Sequence, residues 1–116
     1  MEELVRSKMM KIEVGDKEYV LGFPTRKDAK FAESRGLNLL ETSQTLVLAD
    51  KLFYTGLLAK QPEITEEEAE KIEEQFIEEG GMLEDVISFL SQQYLAFIQS
   101  PSPKKNAKKK SMIIEI

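Results

Sequence analysis

The stretch SQTLVLADKLFYTGLLAK, residues 43–60, decides the fold. Its Leu46, Val47, Leu48, Leu52, Phe53, Tyr54, Leu57 and Leu58 fall on every side of a helical wheel. A helix that is apolar all round is expected to be buried all round. Only Asp50, Lys51 and the two ends offer water a charged edge, so three or more neighbouring elements must pack on it. That makes it a core rather than a site. Gly56 inside it costs roughly 1 kcal/mol relative to Ala, a cost that close packing against another backbone would justify. Gln61-Pro62 ends it.

Upstream lie the elements that cover this helix. Lys11-Ile12-Glu13-Val14 alternates polar and apolar residues, Gly15-Asp16 is a two-residue turn, and Lys17 to Phe23 resumes the alternation. This predicts a β-hairpin with Ile12, Val14, Tyr19, Leu21 and Phe23 on one face. Two strands are marginal alone, so that face must lie on helices. Pro24 stops the strand, and Thr25 caps a helix from Arg26 to about Arg35, closed by Gly36. Ala29, Phe31 and Ala32 form its narrow apolar stripe, and Leu37, Leu39 and Leu40 of the next connection dip into the core.

Downstream, Thr65-Glu66-Glu67-Glu68 has the spacing of a capping box. Ala69, Ile72, Phe76 and Ile77 then form one stripe of a helix that ends at Gly80-Gly81. Its other face is nearly all glutamate. Glu66, Glu70, Glu74 and Glu78 repel one another at i,i+4 spacing, and Glu78 and Glu79 oppose the helix dipole. A last amphipathic helix runs from about Leu83 to Gln99, with Leu83, Val86, Ile87, Leu90, Tyr94, Phe97 and Ile98 on one side. The expected organisation is a loose lead-in at 1–8, one domain at 9–100, and a tail at 101–116. That tail is a Pro/Ser linker, a flexible Lys-rich run and the short apolar end Met112 to Ile116. The end reads equally as a third strand on the hairpin, an arm that augments a partner's sheet, or a disordered terminus. The fold class is α+β: an N-terminal hairpin packed on about four helices.

At 116 residues the chain is the size of one domain and can bury a core without staples. It has no Cys and no His, hence no disulfide, no thiolate or imidazole metal site, and none of the commonest acid/base side chain. The net charge of -5 hides an asymmetry: five lysines and one glutamate from Pro103 onward give +4, leaving -9 before it. An acidic body repels phosphate, so nucleic-acid binding by the fold is unexpected. A helix-turn-helix reading fails as well, because the reader helix would present Leu, Val, Phe and Tyr. No apolar run spans a bilayer, and the expected location is the cytoplasm.

The glutamate face is either a solvated surface or a docking surface for a basic segment, the chain's own Lys tail among them. Metal and catalytic roles lack the spacing they need. The contact candidates are Glu70, Glu74 and Glu78 with the neighbouring Phe76, Ile77, Met82, Leu83 and Phe89, several of which could instead be ordinary core. No cofactor is expected.

Gly15 to Phe23, the following helix ending in Glu33-Ser34-Arg35-Gly36, and Leu52 to Leu58 ahead of Pro62-Glu63-Ile64-Thr65 resemble the tail assembly chaperones of long-tailed phages and prophages of Gram-positive bacteria. The likeness covers about Met9 to Gln99. It implies a non-catalytic protein that binds the tape measure protein, keeps its long helices soluble, helps recruit tail tube subunits, and is lost from the finished virion. It implies no catalytic residues. Such families often make a longer product by ribosomal frameshifting, which would place slippery codons under Lys104-Lys105 or Lys108-Lys109-Lys110. The alternative is a small acidic adaptor or regulatory protein whose basic tail contacts nucleic acid.

Overall fold

The computed structural model describes residues 8–38 and 45–99. Residues 1–7 of the lead-in, Leu39, Leu40 and the tail lie outside the described residues. In order the chain forms strands β1 (Met10–Val14) and β2 (Lys17–Leu21), then helices α1 (Arg26–Ser34), α2 (Thr45–Leu57), α3 (Glu66–Glu78) and α4 (Leu83–Gln99). This is the expected α+β architecture, a hairpin followed by four helices among the described residues.

The strands pair antiparallel with Ile12 opposite Tyr19 and Val14 opposite Lys17. Gly15 takes φ 63° while Asp16 keeps a negative φ, the pattern of a type II′ turn that matches the twist of the flanking strands. Ile12, Val14, Leu21 and Phe23 are buried and Tyr19 is half-buried, so one face lies on the helices. The turn itself is tied down. The Gly15 N–H donates to both carboxylate oxygens of Glu79, at 3.0 and 3.2 Å. Glu79 at the end of α3 is therefore not simply opposed by the dipole. Its pKa is lowered, first by that backbone hydrogen bond and then by one from Gln75.

Both helix N-termini marked by threonine carry complete capping boxes, Thr25 with Asp28 and Thr65 with Glu68, each satisfying two backbone donors. Gly56 of α2 has the close neighbours it needs. The Gly22 N–H donates to its carbonyl at 2.9 Å, and a Cβ there would come within 2.8 Å of a Leu90 methyl. Leu52, Phe53, Leu57 and Leu90 are fully buried around this contact, each contributing roughly 1.5–3 kcal/mol.

The structure corrects the expectation that α2 is covered on every side. Leu46 is 78% and Val47 51% exposed, and the continuous burial begins only at Leu52. A wheel reports direction around an axis but not where along it the neighbours stop. In α1, Ala29 and Ala32 are buried as expected. Phe31 instead faces out, with the Arg35 guanidinium 4.8 Å from its ring centre.

On α4, Val86, Leu90 and Tyr94 are buried, whereas Ile98 is exposed. The same helix buries Gln93 completely, which no apolar periodicity announces. Its Oε1 accepts from the Phe23 N–H and its Nε2 donates to the Lys8 carbonyl at 2.7 Å, tying α4 to both strands. Gln61 plays the same part on the outer edge of β2, accepting from the Val20 N–H and donating to the Val20 carbonyl, both at 3.0 Å. No described helix is long and apolar enough to cross a membrane.

Candidate functional site

The eight contact candidates separate into two groups. Glu70, Glu74, Ile77 and Leu83 come together with Leu46, Ala49, Asp50 and Glu73 around a cavity of about 160 Å³ between α2, α3 and the start of α4. Ile77 is 46% exposed, and Met82, in the turn between α3 and α4, 58%. Phe76 and Phe89 do not join them as surface residues. Both are half-buried against the core, Phe76 with its ring centre 6.3 Å from that of Phe53. The Phe76 ring also occupies the place a side chain at Gly81 would need, which is why a glycine stands there. Glu78 is exposed outside the cavity lining.

Four lining residues were not among the candidates: Leu46, Ala49, Asp50 and Glu73. The signal for Glu73 was its spacing. It lies four residues after Ala69 and three before Phe76, so it shares their side of the helix, and it is only 5% exposed. A glutamate in the middle of an acidic helix reads as one more solvated charge. Here one of the series is carried inward.

That burial sets the electrostatics of the site. Glu73 is pushed up to about 8, first by loss of water around its carboxyl, then by a hydrogen bond to Asp50, then by the charges of Asp50, Glu70 and Glu74. Every charged neighbour acting on it is another carboxylate. At neutral pH the Glu73 carboxyl thus holds a proton and donates it to the Asp50 carboxylate, since two adjoining carboxylates cannot both ionise cheaply out of water. Lys51, next to Asp50 in sequence, is engaged elsewhere, 2.6 Å from Glu66.

A proton shared by two carboxyls can serve acid–base chemistry, but the rest of the lining is Leu, Ala, Ile and further carboxylates. Among the described residues it offers no hydroxyl, amide or cation to hold or polarise a substrate. What the arrangement can do is accept a cation carried on an apolar stem. A Lys or Arg inserted there would ionise Glu73 and lay its methylenes along Leu46, Ile77 and Leu83.

A second, more open cavity of about 290 Å³ lies between the hairpin and α3, lined by Tyr19, Ile64, Glu68, Lys71 and Ile72. Its acid and base are of opposite sign and both exposed. Among the described residues, no three acidic side chains gather closely enough to hold a metal ion.

The chain has no significant match among curated proteins or among solved structures. A family model does match it, over residues 6–113, nearly its whole length. The chain belongs to that family, described as Domain of unknown function (DUF5055).

Proposed function

We propose that this protein is a non-catalytic tail assembly chaperone of a tailed phage or prophage, acting in the host cytoplasm. It binds the tape measure protein during tail morphogenesis and helps bring tail tube subunits to it. The reading starts from the likeness of the hairpin and of Leu52 to Leu58 to that class of chaperones. One observation carries it further: uncovered Leu46, Ile77 and Met82 adjoin the buried Glu73 carboxyl and its Asp50 neighbour, with no cation beside them among the described residues. An apolar patch beside unneutralised acid suits a client helix that is greasy on one side and carries Lys or Arg at its edge. The surrounding glutamates keep the complex soluble by net charge.

Co-expression with the tape measure protein of the same genome tests the reading. The expected result is a soluble complex that co-purifies with this chain, and insoluble tape measure protein without it. A tape measure protein equally insoluble in both cases, with nothing retained on the tagged chain, would contradict it.

A further inference from the structure

The two edges of the hairpin are finished differently. On the outer side of β2, the Val20 N–H and C=O are met by the Gln61 amide and the Gly22 N–H by the Gly56 carbonyl, whereas no hydrogen bond among the described residues meets those of Glu18. Because both backbone groups of Val20 point away from β1, its partner Lys11 sits in a non-hydrogen-bonded pair, and so does Glu13 opposite Glu18. The N–H and C=O of Lys11 and Glu13 therefore point off the far side of β1. Among the described residues no hydrogen bond meets them. An edge of this kind is a template for another strand.

We propose that residues 112–116 of this same chain, Met112-Ile113-Ile114-Glu115-Ile116, form a third strand on the outer edge of β1. The segment is β-branched and apolar with one acid, and keeping Glu115 toward water places Met112, Ile114 and Ile116 on the face shared with Ile12 and Val14. Glu115 then stands on the side of Lys11, whose ammonium is 3.8 Å from Glu18 on the opposite strand.

The chain can reach. The Gln93 bond to Lys8 brings α4 to the beginning of β1, and the six residues from there to Gln99 add only about 9 Å of helix. Residues 100–111 span up to roughly 40 Å when extended, far more than the remaining gap requires. The family match also runs past α4 to residue 113, so it takes in most of the linker and tail together with the hairpin. The inference is independent of the chaperone reading, because it concerns how the fold is completed.

Amide hydrogen exchange on the full chain tests it. The Lys11 and Glu13 amides are expected to exchange at least about 100-fold more slowly than in an unstructured chain. Ile113→Pro combined with Ile114→Pro, which removes a ladder donor whether the added strand runs parallel or antiparallel to β1, should return both to within about 3-fold of the unstructured rate. The Val20 and Gly22 amides, held by Gln61 and Gly56, should stay protected and show that the domain is still folded. Ile114→Val should leave all four unchanged. Free exchange at Lys11 and Glu13 in the unaltered chain, or protection that survives the double proline substitution, would overturn the proposal. Protection that grows with protein concentration would assign the edge to a second copy and overturn it equally.

Discussion

Gln93 and Glu73 are both buried polar side chains on helices, and they have opposite fates. Gln93 is fully enclosed, and its amide oxygen and nitrogen are matched by the Phe23 N–H and the Lys8 carbonyl. Glu73 is almost as enclosed, yet its surroundings offer only other acids. A buried group whose needs are met within the chain fixes the fold. One left among like charges weakens the fold and gains only when something from outside supplies the missing charge. The hairpin end of the molecule is built in the first way and the α2–α3–α4 groove in the second.

The contrast is sharpest if both residues become leucine. Gln93→Leu should cost about 3 kcal/mol, because it strands the buried Phe23 N–H and the partly buried Lys8 C=O at once. Glu73→Leu should leave stability unchanged or improve it. Denaturant unfolding of the two variants at pH 8 gives the comparison directly, and equal losses would erase the distinction.

The next effect is a dependence on pH. Glu73 is raised from 4.5 to about 8, so between those values the folded chain holds a proton that the unfolded chain has released. Stability from this group is intact below about pH 4.5 and is lost as pH rises through about 8. Allowing for water at the mouth of the groove, the loss is roughly 2 kcal/mol. Glu73→Gln should therefore stabilise by that amount at pH 8.5 and by almost nothing at pH 4.5, read from thermal unfolding at both values.

Smaller still is Tyr94→Phe. The Tyr94 hydroxyl donates to Glu33, and burial, then this bond, pushes its pKa up to about 12. The bond lies partly open to solvent, so its removal should cost about 1 kcal/mol in a denaturant melt. Ile77→Lys should change stability least, by under about 0.5 kcal/mol, because the side chain is already half outside. Its effect belongs to binding: tape measure protein should be held about 10-fold more weakly, measured by titration calorimetry.

Much of this architecture was legible in the residues. Alternation around Gly15-Asp16 located the hairpin, Thr65 to Glu68 located a capping box, and Gly56 pointed to the close contact that Gly22 and Leu90 make. Half of the expected contact residues do line one cavity. What stayed hidden has a common cause. Gln93 follows Leu90 by three residues and Glu73 follows Ala69 by four, so both occupy buried stripes, but a pattern built from apolar letters passes over polar ones. The exposure of Leu46 depends on where neighbouring helices end, which no periodicity within α2 encodes.

The most direct test is the titration of the Glu73 side-chain carboxyl, followed by carbon NMR in the free chain and in the complex with tape measure protein. A carboxyl waiting for a cation should titrate near 8 when free and at least about 2 units lower when a client lysine or arginine reaches it. A free midpoint near 4.5, or a midpoint that does not move in the complex, would show that the groove is not where this protein holds its partner.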